Sequence, residues 1–442
     1  MDKILQIAGI LFLLSLCLKF RRLWLNYLSI LLLTNFFGFV EPSDLAINGL
    51  NLTSYFAVLL NILAYYYNTL FFDTKPYNDL KYEFLFKWFK IFFFIQLVSY
   101  VLTIFRGYSI IESLLPFFDF IPYILIIPLY KLFSAVSGQE FYRFLKYIYI
   151  LSILNMVIYI SNVTGLLTFY DSSKFSNVEG YEDVVRTLIG FPVYFAFIFP
   201  LIYLNLRKDS TFKNIVLFLL LILILLLTAT RSLVLIYGLI IITVELYYLF
   251  KNPSKKVFKV FAIISLSGLL VGSVFNRNIE AFTSRFKESE NLIEAKNVKY
   301  RYEVAKERIS MTLKNNPVFG LGFIYKNDVY RLNLKVDKSR LIHPDIFWPN
   351  LITTTGLAGF VIFLVLYFKL FSLFNLRSET DLNIVFFLYL IITLLSTFSS
   401  GGVLFKGSIN WTIIMAIGLV HLKYNDEKIA SNENDRDFSS GF

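Results

Sequence analysis

Along the 442 residues, long apolar runs alternate with short polar breaks until one polar stretch, residues 275–346, interrupts the pattern. Runs at residues 144–160, 215–228, 233–250, 351–371 and 382–398 are long enough, or nearly so, to cross a hydrocarbon core of roughly 30 Å as helices. Backbone amides in lipid must bond within their own segment, and a closed barrel would carry alternating strands of about ten residues instead of unbroken apolar runs. The pattern predicts an all-α polytopic integral membrane protein. Segment starts near Ile4, Leu23, Leu52, Phe89, Pro116, Phe144, Leu188, Ile215, Leu233, Val257, Phe347, Leu382 and Trp411 give about thirteen crossings. A shallow or re-entrant segment at residues 4–18 would leave about twelve. The expected organisation is therefore about ten helices in residues 1–274, a long loop at 275–346, about three helices in 347–422 and a polar tail at 423–442.

Composition agrees, because 57% hydrophobic and 17% charged residues leave too little polar surface for a water-soluble chain of this size. The net charge of +11 is spread over short alternate loops, as at Lys19, Arg21 and Arg22, at Arg207, Lys208 and Lys213, and at Lys251, Lys255 and Lys256. That spread marks those loops as cytoplasmic and argues against nucleic acid as a partner. The opposite-phase loops are poor in Lys and Arg, so residues 275–346 are expected outside, long loops being exempt from the charge rule. Trp24, Trp88, Trp348 and Trp411 stand at segment starts, where an indole favours the headgroup layer. Arg21 and Arg22 follow the first apolar stretch where a small-residue cleavage site would stand, so no cleavable signal is expected. The lone Cys17 allows neither an intramolecular disulfide nor a cysteine metal cluster.

Three pieces of the second half carry chemistry. Thr228-Ala-Thr-Arg231-Ser-Leu lies at a helix-to-helix turn expected outside. Arg301-Tyr-Glu-Val-Ala precedes Asn316-Pro-Val-Phe-Gly320-Leu-Gly322-Phe in the long loop, and His343 precedes Asn350-Leu-Ile-Thr-Thr-Thr-Gly356-Leu-Ala-Gly359. In that order and spacing the chain resembles the O-antigen polymerase and O-antigen ligase superfamily of bacterial membrane glycosyltransferases. The N-terminal half adds Arg186 and Gly190, similar to an Arg and Gly of that family. Pro344 and Asp345 after the histidine, Ala305 and Ala229 depart from the family pattern.

The resemblance implies a C-type glycosyltransferase architecture and transfer of a glycan from undecaprenyl pyrophosphate to a sugar hydroxyl at the outer face of the cytoplasmic (inner) membrane, with no cofactor. Expected partners are the lipid-linked oligosaccharide, an acceptor glycan or glycolipid, membrane lipid and a chain-length regulator. A polymerase of O-antigen or capsule type is the first reading, a ligase to lipid A core or another acceptor the second. A flippase for the same lipid-linked glycan is the non-enzyme alternative.

Residue chemistry points the same way. No closely paired external carboxylates of the Asp-x-Asp type are present to hold a divalent metal, so no metal site is expected, and guanidinium groups must neutralise the departing pyrophosphate. Arg231 and Arg301 are the candidates, with Arg186, Arg308 and Arg340 as helpers. Val298, Tyr302, Ala305, Ile309 and Leu313 recur at helical spacing, predicting an amphipathic helix resting on the membrane. His343, with an ordinary pKa of about 6.5, fits a general base, or a cation held by Asp345 beside the pyrophosphate. Gly320 and Gly322 suit a turn with close backbone approach, or a phosphate cradle. Asp119 is a candidate lining residue of an acceptor groove, Glu245 is expected near the interface, and His421 is expected to be a packing residue.

Overall fold

The computed structural model describes residues 46–47, 50–51, 82–135, 137–166, 176–178, 181–186, 194–228, 231–251, 255–274, 296–324, 347–374, 380–399 and 408–430. The described helices are α1 (Glu83–Phe105), α2 (Ile110–Phe118), α3 (Ile121–Ser134), α4 (Gly138–Val163), α5 (Phe195–Lys208) and α6 (Phe212–Leu227). They continue with α7 (Arg231–Lys251), α8 (Lys255–Val274), α9 (Lys296–Asn315), α10 (Phe347–Leu373), α11 (Asp381–Ser399) and α12 (Ser408–Ala430). Two minimal antiparallel pairs accompany them, β1 (Ala46–Ile47) with β2 (Leu50–Asn51), and β3 (Ser176–Val178) with β4 (Tyr181–Arg186). The protein is an all-α polytopic membrane protein. Among the described residues, helices α1, α4 and α10, with Ser232–Phe250 of α7 and Asp381–Phe398 of α11, are long and apolar enough to cross a membrane, and the pair α2 and α3, bent by 52°, raises the five to six if it forms one span. The starts expected at Ile4, Leu23 and Leu52 lie outside the described residues.

Local chemistry sets several helix ends. Ser137 and Glu140 form a reciprocal capping box at the start of α4, and the Ser109 hydroxyl accepts the Glu112 amide at 3.3 Å to open α2. The bend between α2 and α3 falls at Asp119 and Phe120, just after Pro116.

At the centre stands α12, buried at every position from Ile409 to Lys423 except half-buried Asn410. It packs along α3, while α10 packs on α1, α11 on α5, and α9 on α10. A helix apolar all round belongs inside, which corrects the expectation for Trp411. Instead of reaching the headgroup layer, its ring is fully buried, 5.3 Å from Tyr123 and stacked on Tyr367. Phe92 and Phe363 extend that cluster, tying α1, α3, α10 and α12 together.

Glu245 is likewise no interfacial residue. It is fully buried; Tyr203 donates to its Oε1, and Arg207 Nε approaches the same oxygen at 3.2 Å. The Arg207 guanidinium also lies 3.4 Å from the centre of the Tyr248 ring. Tyr203 and Arg207 sit one turn apart on α5 and face Glu245 and Tyr248 on α7, so the carboxylate is tolerated because α5 brings it a cation and a hydroxyl. His421 is a packing residue, buried against Phe386 with Nδ1 3.1 Å from the Tyr142 hydroxyl.

The Arg207–Glu245 pair makes a testable claim. Arg207→Ala strands a buried carboxylate and should lower stability by about 3–5 kcal/mol, read as thermal unfolding in detergent. Adding Glu245→Leu should recover most of that loss, whereas a double variant as unstable as the single one would contradict the pairing.

Candidate functional site

The site is organised by a break in α10. Thr353-Thr-Thr-Gly356 ends its first part, and Gly356 takes φ 67° and ψ −165° there. Thr354 and Thr355 hydroxyls return to the carbonyls of Asn350 and Leu351 at 2.8 and 2.7 Å, the back-bonding that weakens a helix locally. A broken helix in an apolar bundle exposes backbone groups that something must satisfy.

The motif after α9 does so. The Leu357 and Ala358 amides donate to the carbonyls of Pro317 and Val318 at 2.8 and 3.1 Å, and the Leu321 amide donates to the Thr353 carbonyl at 2.7 Å. Asn316 shapes the entry, its side-chain oxygen accepting the Phe319 amide at 3.2 Å and its carbonyl accepting the Gly320 amide at 3.0 Å. Gly320 and Gly322 have φ of 72° and 99°, conformations costly for other residues. Space forbids a side chain too: a Cβ on Gly320 would lie 2.6 Å from the Gly356 nitrogen and the Thr353 oxygen, and one on Gly322 would strike the Thr103 hydroxyl. Of the two roles expected for these glycines, the turn with close backbone approach is what the geometry displays.

A third element completes the arrangement. The Ser99 hydroxyl of α1 reaches the carbonyls of Phe319, at 3.2 Å, and Thr354. Thr103 accepts the Phe323 amide at 2.8 Å, and Arg106 Nη1 donates to the carbonyls of Gly320, at 3.1 Å, and Leu321. Sequence reasoning missed these residues. Their signal was a polar stripe, Gln96, Ser99, Thr103 and the C-cap Arg106, along the apolar second half of α1.

Helix α9 lies against the first part of α10. It buries Val304, Arg308, Met311 and Thr312, with Arg308 only 1% exposed and its Nη1 donating to Asn350 Oδ1. Arg308 is thus turned into the helix interface. Half-buried Arg301 stands two turns earlier, about 10 Å along the axis, on the same side of α9. The apolar stripe expected on this helix flanks that buried side, with Ala305 and Ile309 half-buried, Tyr302 66% exposed and Leu313 43% exposed.

The remaining candidates are placed as follows. Arg231 is the first residue of α7, and Arg186 ends β4 opposite Ser176. Asp119 is half-buried in the turn between α2 and α3. His343, Arg340 and Asp345 lie outside the described residues, His343 four positions before the start of α10.

Residues 216–364 match the family model described as O-antigen ligase. The resemblance to the O-antigen polymerase and ligase superfamily is borne out over that stretch. It covers roughly a third of the chain, from α6 into α10, and includes Arg231, Arg301, Arg308, Gly320, Gly322, Arg340, His343 and Asp345. Members of this family are glycosyltransferase-like membrane enzymes, polymerases or ligases. The α1 stripe, Asp119 and Arg186 fall outside the match. No curated protein and no solved structure matches the chain.

Gly356 gives a direct test of the docking. Any side chain there meets a positive-φ penalty of about 1–2 kcal/mol, and at Gly356 it also strikes the Val318 carbonyl. Gly107 has a similar φ of 84° with open space around it. Gly356→Ala should therefore lower the unfolding temperature more than Gly107→Ala and speed tryptic cutting after Lys314. Equal effects at the two glycines would mean that the Val318 contact contributes nothing.

Proposed function

We propose that the protein is a polymerase of surface polysaccharide that moves a glycan from a polyprenyl pyrophosphate carrier to the sugar hydroxyl of a lipid-linked repeat unit. The carrying observation is the family match over residues 216–364 coinciding with the docking of α9 on the broken α10. Arg308 faces Asn350 and the Pro317 carbonyl meets Leu357, so α9 and α10 advance in step. Continued back to Arg301, that register reaches the level at which the chain enters α10. His343 stands four positions before the start of α10 in the sequence, and we assign it to the same region.

In the proposed reaction the acceptor oxygen attacks the anomeric carbon as its proton passes to His343, acting as general base. The bond from the anomeric carbon to the pyrophosphate oxygen breaks, and the lipid pyrophosphate leaves with the electron pair. Arg301 and Arg231 offer fixed positive charge to the departing oxygens without a metal, and Arg340 and Arg186 assist in holding the donor. Asp345 orients the histidine, Asp119 lines the acceptor side, and Arg308, with Gly320 and Gly322, holds the framework. We place the site on the external face of the bacterial inner membrane, with the open Tyr302 and Leu313 stripe toward lipid.

The ligase reading keeps the same residues and chemistry, and the match to a family described as O-antigen ligase favours it. The two differ in what a deletion strain accumulates. Loss of a polymerase should leave single repeat units on carrier or final acceptor, and long carrier-bound chains in that strain would reject the polymerase and select the ligase.

His343→Ala, Arg231→Ala and Arg301→Ala should each reduce glycan transfer at least 100-fold with the protein still present in the membrane, following the usual loss of about 10²–10⁴ for a general base or fixed donor. Arg301→Lys should recover little, because an ammonium cannot form the planar fork. Near-normal transfer by His343→Ala would remove the general base from the scheme.

A further inference from the structure

We propose that Ser99, Thr103 and Arg106 of α1 are positioning residues that set the geometry of the transfer site from outside the family-matched region, an inference that rests on the transferase reading above. Ser99 and Thr103 stand at i and i+4 on one face of α1, and Arg106, at i+7, is the C-cap that continues that face. Each engages the segment between α9 and the break in α10, at sequence separations above 200 residues.

A cation at the end of a membrane helix ordinarily reaches for headgroups or solvent, or neutralises its own helix C-terminus. Arg106 does something more specific. Its Nη1 spans the adjacent carbonyls of Gly320 and Leu321, at the point where the chain reverses with positive φ. Thr103 is used twice, since its hydroxyl accepts the Phe323 amide and donates to the Ser99 carbonyl at 2.7 Å. That hydroxyl also occupies the space a side chain at position 322 would need, so glycine in the motif and threonine on α1 are complementary. Phe323 then seats its ring against Phe117 and Phe120 at 5.3 and 5.5 Å, closing the segment onto α2 and the bend before α3.

The consequence is positional. The clamped segment sets how far α9 advances along α10, and with it the distance from Arg301 to the start of α10. A shift of about 1 Å in such an arrangement costs on the order of 100-fold in rate, mainly in turnover. Arg106 is exposed, so removing its side chain leaves no core cavity.

Two readouts test this in a Cys17→Ser background. The first is the kcat and KM of glycan transfer. The second is modification of a cysteine at Leu321, a buried position, by a bulky maleimide in the purified protein. Arg106→Ala should lower kcat at least 10-fold with KM within about 3-fold, and should speed modification of Leu321→Cys at least 10-fold. Arg106→Lys should restore most of both, because an ammonium can still serve two carbonyls. That contrasts with the poor rescue expected of Arg301→Lys. Thr103→Val, which keeps shape and removes both hydrogen-bond functions, should move both readouts the same way.

Unchanged modification with unchanged transfer in Arg106→Ala overturns the proposal. Lost transfer with Leu321→Cys still protected also overturns it, since Arg106 would then act on substrate. Faster modification in a protein whose native form transfers no glycan overturns the transferase reading and leaves the clamp standing.

Discussion

An interrupted helix inside an apolar bundle is stable only if the backbone groups freed by the interruption find partners, and the rest of the site follows from how this chain meets that demand. At Gly356 the amides of Leu357 and Ala358 lose their helical acceptors, and the carbonyls of Pro317 and Val318 take them up. Because those carbonyls belong to the segment just after α9, satisfying α10 fixes the position of α9. The Arg308 contact with Asn350 and the α1 stripe then hold the same junction from two further directions. The break thus serves as an attachment point for a polar segment that would otherwise have few reasons to adopt one position beside a membrane.

Two polar sets inside the bundle contrast with each other. Glu245, Tyr203 and Arg207 form a compact cluster between α5 and α7, and the Lys208–Asp381 pair at 3.5 Å extends the same helix end toward α11. Every charge there has an opposite charge beside it. The Ser99, Thr103 and Arg106 set instead spends its donors on backbone carbonyls, an arrangement suited to gripping a loop. Buried charge at the first end is explained by pairing, and polarity at the second by what it holds.

Much of this was legible in the chain. From Phe89 onward each expected segment overlaps a helix, and those starting near Phe89, Phe144, Leu233, Phe347 and Leu382 overlap helices long and apolar enough to cross a membrane, because apolar length follows from bilayer thickness. The amphipathic helix after Lys296 was legible from spacing, and the Pro-x-x-Gly-x-Gly turn from its glycines. Which face α9 would bury was not legible, since Tyr302 and Leu313 of the apolar stripe stay open and the buried side includes an arginine. Trp411 and Glu245 misled for one reason: the same residue types suit a membrane interface or a bundle interior, and only the partner helix decides. The polar stripe of Ser99, Thr103 and Arg106 could be read, but what it holds could not, because its partners lie over 200 residues away and are backbone atoms, which leave no mark on sequence. The two short strand pairs carry no hydropathy signal of their own.

Reconstitution of the purified protein with polyprenyl pyrophosphate-linked repeat units, and no nucleotide, addresses the central claim most directly. Release of free polyprenyl pyrophosphate in step with a glycan lengthened on its acceptor is the result this account requires. Donor recovered chemically intact, whether left in place or moved across the bilayer, would contradict it.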